Sequence, residues 1–151
     1  MECTLFKTVK SVGVPDRQIQ AVVLFVLESL KKKNAAVSVH CIGESQMRRL
    51  NRVHRGKDKV TDVLSFAMQE GAFMMEKKGE DKDWGDIFIC IPQIKRQAKE
   101  YGVRFKEEFF RMTVHGVLHL LGYDHEEEKE AKKMFSLQDK MVVSCLKQFS
   151  R

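Results

Sequence analysis

The stretch His115-Gly116-Val117-Leu118-His119-Leu120-Leu121-Gly122-Tyr123-Asp124-His125 constrains this chain more than any other. It sets three of the five histidines within eleven residues. His115 and His119 are four apart, so they share one face of a helix with about 3.6 residues per turn. Gly122 can end that helix, because a residue without Cβ takes the left-handed conformation at no steric cost. Tyr123-Asp124 then make a short turn that returns His125 toward the same face. Three imidazoles about one point, with a fourth position open, form the ligand set of a catalytic zinc. One ion per chain is expected, held by His115, His119 and His125.

The spacing of the three histidines and the glycine equals that of H-E-x-x-H-x-x-G-x-x-H zinc proteases. The residue after the first histidine differs. Gly116 stands where those enzymes carry the glutamate that serves as general base. The metal ligands are therefore complete while the peptidase base is missing.

The remaining sequence suits one domain spanning residues 1–151. No apolar run approaches the roughly 20 residues of a membrane span. The N-terminus has no secretory pattern. Cys3, Cys41, Cys90 and Cys145 are scattered with no CxxC pair, as in reduced thiols of a cytoplasmic protein. The net charge of +6 is uneven: residues 1–60 carry 12 Lys and Arg against 5 Asp and Glu. The excess is densest at Arg48, Arg49, Arg52, Arg55, Lys57 and Lys59. Such a patch attracts polyanions, although a solvated face has the same composition.

In chain order, residues 3–9 alternate as a strand. Pro15 opens a helix whose apolar positions run from Ile19 to Leu30, with Lys31-Lys32-Lys33 expected in its last turn. Residues 36–42 form a second strand. Glu44 to His54 is a helix packing through Met47, Leu50 and Val53, with Arg48, Arg49 and Arg52 outward. Strands follow at 63–66 and 86–90, separated by a loop at 69–83. Its apolar triplet Phe73-Met74-Met75 is expected to pack down. Pro92 and Gly102 bound the next helix. Phe105 to Leu121 is apolar nearly all round, so this helix is buried on most sides. Glu126-Glu127-Glu128 begin a last helix, which packs through a stripe that includes Met134, Phe135, Gln138 and Met141. This order predicts an α+β or mixed α/β domain.

Three blocks together resemble the YbeY family of zinc-dependent endoribonucleases linked to ribosomal RNA maturation. They are the histidine stretch, the run from Asn51 to Phe66 containing Arg55-Gly56-Lys57-Asp58 and Thr61-Asp62-Val63-Leu64-Ser65-Phe66, and Gly85-Asp86-Ile87-Phe88-Ile89. The blocks come in the family's order and span nearly the whole chain. Val60 and Ala67 stand where the family usually has proline. The resemblance implies a four-stranded mixed sheet packed against helices, with a central buried helix carrying the metal-binding histidines. It implies single-strand-specific cleavage of RNA, with a ribosomal RNA precursor or ribosomal subunit as partner and no small-molecule cofactor. It also implies that Arg55 is catalytic, its planar fork suited to two phosphate oxygens. Arg48, Arg49 and Arg52 are candidate RNA contacts. Asp62, Asp86 and Asp124 are candidates for orienting a ligating imidazole, with capping of the last helix the favoured role for Asp124 and local turn structure for Asp62. The alternatives are a non-catalytic, zinc-stabilised ribosome-assembly factor and a metallopeptidase.

Overall fold

The computed structural model describes residues 1–68 and 82–150. The Phe73-Met74-Met75 triplet lies outside the described residues. These form four strands, β1 (Glu2–Lys7), β2 (Ala35–Ile42), β3 (Val63–Ala67) and β4 (Lys82–Cys90). Five helices accompany them: α1 (Asp16–Ser29), α2 (Glu44–Arg55), α3 (Ile91–Tyr101), α4 (Phe105–Leu120) and α5 (Glu128–Phe149).

The sheet order is β1-β2-β4-β3. β1 and β2 are parallel, as are β2 and β4. β3 runs antiparallel to β4, pairing Val63 with Ile89 and Ala67 with Gly85. The sheet is therefore mixed, and β3 forms an edge. Alternation along the strands sends Val37, Val39, Ile87 and Ile89 to one face. There they join the buried side chains of α1, α4 and α5 in one core. On the other face α2 sets Met47 against Ile42, Leu64 and Cys90.

The α4 sequence explains its central place. Phe109, Phe110, Val114, Val117 and Leu118 are all fully buried. They point in different directions around the helix, so only a helix enclosed by sheet and neighbouring helices can bury them all.

Three details differ from expectation. Val53 is 65% exposed and packs against no core. Asn51 is the buried residue of that turn, and its amide donates to the Lys59 carbonyl at 2.9 Å. Lys31-Lys32-Lys33 lies beyond the last turn of α1, which ends at Ser29 and has no basic residue there. Phe135, placed in the core stripe by its spacing, is 43% exposed.

Candidate metal centre and the cleft around it

α4 presents His115 and His119 from successive turns, and the chain reversal after it supplies His125. The reversal has a definite hydrogen-bond pattern. The Tyr123 N–H donates to the Leu118 carbonyl at 3.0 Å, and the Gly122 N–H donates to the His119 carbonyl at 3.1 Å. This is the Schellman end of a helix, and Gly122 takes its left-handed position at φ 96°. The Asp124 carboxylate then accepts the His125 N–H at 2.6 Å. Asp124 thus fixes the turn that delivers the third imidazole and does not cap α5, whose N-cap is Glu127.

One ring nitrogen from each histidine lies within 4.8 Å of the others. The His115 and His119 Nε2 atoms are 3.0 Å apart. A tetrahedral zinc with Zn–N bonds of about 2.0–2.1 Å places ligand nitrogens roughly 3.3 Å apart. The donor set suits such an ion, and the His115–His119 separation is close to that spacing. Among the described residues no fourth His, Cys, Asp or Glu joins the group.

The protonation pattern is also set. Gln138 Oε1 lies 2.7 Å from His115 Nδ1. An amide oxygen only accepts, so Nδ1 carries the proton and Nε2 keeps its lone pair toward the other two rings. Burial pushes the His115 pKa down, against the Gln138 hydrogen bond and the Asp62 charge, which raise it. Burial, then the neighbouring His115 and His125 rings, push His119 down to about 4. Both imidazoles are therefore neutral at neutral pH, the state in which histidine binds metal. Phe135 stands against the outer rings, its centroid 6.2 Å from His115 and 6.1 Å from His125.

Gln138 and Phe135 are the site residues that spacing alone assigned to packing. The available signal was a glutamine inside an apolar helical stripe. Of the aspartates named from sequence, none bonds a ligating ring. Asp86 accepts from His40 Nε2 at 2.8 Å on the sheet face away from α4. Asp62 accepts the Val63 N–H at 2.7 Å and the Thr61 hydroxyl at 3.5 Å, although it lines the same cleft as the histidines.

Gly116 decides how closely α4 approaches the sheet. A Cβ there would sit 2.8 Å from Ile87 Cγ2 and 3.3 Å from Val63 Cγ2. The Gly116 carbonyl accepts from the Ser65 hydroxyl at 3.0 Å. Any side chain at 116 would enter the sheet packing, so this position is unsuited to a glutamate base of the peptidase kind.

The three histidines open onto a cleft of about 320 Å³, walled on its far side by Arg55, Asp62 and Ser65. Arg55 is the last residue of α2. Gly56 ends the helix in the left-handed conformation at φ 69°. The Arg55 guanidinium makes no hydrogen bond or ion pair with any described residue. The other arginines of α2 are placed differently. Arg48 sets its fork on Asp58, with Nε to Oδ1 at 2.8 Å and a terminal nitrogen to Oδ2 at 3.0 Å. Arg52 lies 3.8 Å from the same carboxylate. Arg49 is exposed and has no partner among the described residues. The basic face of α2 is thus partly neutralised by Asp58 and grades toward an unengaged Arg55 at the cleft.

A family model described as Endoribonuclease YbeY matches residues 7–145. A protein of that name from Persephonella marina is 45% identical over 127 residues, covering 83% of this chain and 80% of the relative. Another, from Geobacillus thermodenitrificans, is 43% identical and covers 86% and 88%. The solution structure of a Thermotoga maritima protein superposes with a TM-score of 0.67 at 28% identity, covering 98% of this chain and 91% of that one.

Proposed function

The chain belongs to the YbeY family of endoribonucleases, and on that premise we propose that it is a zinc-dependent hydrolase cleaving single-stranded RNA. Its role on this reading is ribosomal RNA processing and ribosome quality control in the cytoplasm, with a ribosomal RNA precursor or subunit as partner. Residues 1–151 act as one catalytic domain. The observation that carries the proposal is the meeting of two unlike groups in one cleft: three convergent histidine nitrogens and, across from them, an unengaged guanidinium.

His115, His119 and His125 would hold the ion. When bound, zinc supplies a Lewis acid for a phosphoryl oxygen and lowers the pKa of a coordinated water to about 7. The protein's own groups do the rest. Gln138 keeps the His115 proton on Nδ1 and fixes the ring. Asp124 holds the backbone that carries His125. Ser65 and Gly116 lock α4 against β3, so the histidines and the Asp62 turn keep their spacing. Arg55 offers two parallel N–H donors to the phosphate as negative charge builds on its oxygens. Arg49 and Arg52 draw in flanking phosphates.

A zinc-stabilised assembly factor would need a closed ion, and structural sites usually take four protein ligands. The three-histidine set and the adjoining cleft favour catalysis instead. The deciding experiment is elemental analysis together with RNA cleavage by the wild type and His119→Ala. The wild type is expected to carry one zinc and cut the RNA, and the variant to lose both. Equal cleavage by a metal-free variant would overturn the proposal.

A further inference from the structure

The lysine run at 31–33 follows the end of α1, and its Lys32 sits beside the only tryptophan of the chain. Lys31 takes the left-handed turn after α1 at φ 59°. The next residue bonds back, its N–H donating to the Leu27 carbonyl at 2.8 Å. That turn directs Lys32 over Trp84, with Nζ 5.2 Å from the ring centroid. Lys82 reaches the same ring, with Nζ at 4.5 Å. Both ammonium groups lie within cation–π distance of the ring.

Lys32 also lines a second cleft of about 400 Å³, together with Tyr123, Asp124, Glu130 and Lys133. Gly122, Tyr123 and Asp124 line it on one side. The same three residues line, on their other side, the groove that contains His119, His125 and Arg55. The Schellman turn is therefore a thin wall between the metal centre and this cleft. The volume falls within the range of small-ligand sites. Tyr123 supplies an aromatic surface, Lys32 and Lys133 supply charge, and Glu130 supplies an acceptor for a hydroxyl or an amine. Asp124 has its Oδ1 occupied by the His125 N–H. Basic groups with interleaved aromatic rings are the recognition chemistry of single-stranded nucleic acid.

We propose that this cleft binds a nucleotide of the RNA strand flanking the scissile phosphate, with its phosphates on Lys32 and Lys133 and a base against Tyr123. The inference rests on the endoribonuclease reading and extends it: the strand enters along the α2 arginines, passes the metal and leaves over the Tyr123 turn toward Trp84. The protein then grips its substrate on both sides of the cut, and substrates too short to reach past Tyr123 are cleaved less efficiently.

Trp84, the lone tryptophan, reports on the site through Lys32, which sits over its ring. The zinc-loaded protein is mixed in a stopped-flow instrument with single-stranded RNA of four or of twelve nucleotides, and kcat/KM is measured for both. The twelve-mer is expected to quench Trp84 fluorescence before turnover and to be cleaved with at least roughly tenfold higher kcat/KM than the four-mer. In Lys32→Glu/Lys133→Glu that length advantage should collapse, and the salt slope of twelve-mer binding should fall by roughly 1.4, about 0.7 for each single-strand phosphate no longer neutralised. Lys99→Glu, in a helix that lines neither cleft, controls for the change in net charge and should leave both quantities as they were. No quenching, or an undiminished length advantage in the double variant, overturns the subsite. Cleavage of the four-mer by the wild type tests the endoribonuclease reading separately.

Discussion

Gln138 Oε1 accepts the Nδ1 proton of His115 at 2.7 Å, joining residues 23 apart on α4 and α5. This bond fixes which nitrogen of His115 faces the other two imidazoles. Gln138→Leu keeps the volume and removes the acceptor. Loss of such a partner typically weakens metal binding roughly 10- to 100-fold. Competition with a chelating dye measures it, and circular dichroism checks that the fold persists. Unchanged affinity would reduce Gln138 to a packing residue.

The histidines also set a pH dependence for the metal-free protein. His119 is held at about 4 against an ordinary value of 6.5, and His115 is held low in the same direction. Below pH 6.5 the unfolded chain binds these protons more readily than the folded one, so stability falls as pH drops. The loss should run from about pH 6.5 down to about pH 4. Thermal melts in excess chelator should show it, and it should diminish in His119→Leu. Zinc at saturation should oppose it near neutrality and release protons on binding.

The basic face of α2 behaves as a graded rather than a uniform patch. Arg48 is committed to Asp58, so Arg48→Ala should change RNA affinity little. Asp58→Ala should release Arg48 and Arg52 and steepen the salt dependence of RNA binding, by roughly 0.7 for each further phosphate neutralised. An identical salt slope in Asp58→Ala would make these arginines a solvated surface.

Arg55 carries a different expectation, because it lines the metal cleft without a partner among the described residues. Arg55→Lys keeps the charge and loses the two-pronged fork. Single-turnover cleavage should fall about a hundredfold or more, as for removal of one preorganised donor. RNA affinity and zinc content should change little. Equal losses in binding and cleavage would make Arg55 a docking residue.

Much of this was legible in the sequence, for local reasons. Helix α4 announces itself by apolar residues on every side, and the histidine and glycine spacing encodes both the ligand face and the Schellman turn. The four strands and five helices follow from periodicity and from Pro15, Pro92 and Gly102. Contacts between distant elements were not legible. Gln138 reads as one more position in the α5 stripe until α5 lies against α4. Asp86 follows a glycine like a site residue, yet strand alternation turns it toward His40 on the far face. The Arg48–Asp58 pair depends on how the turn after Gly56 folds back, which charge counting does not show. Lys31-Lys32-Lys33 reads as helix-end charge because the left-handed turn at Lys31 leaves no mark in residue type.

The measurement closest to the central claim is RNA cleavage as a function of zinc occupancy. Protein stripped by chelator is titrated with zinc, occupancy is read by elemental analysis, and a single-stranded RNA is the substrate at each step. Cleavage should start near zero, rise in proportion to occupancy and level off at one ion per chain, while His119→Ala stays at the baseline throughout. Full cleavage at zero occupancy, or in His119→Ala, would contradict the assignment of the three-histidine centre as the site of catalysis.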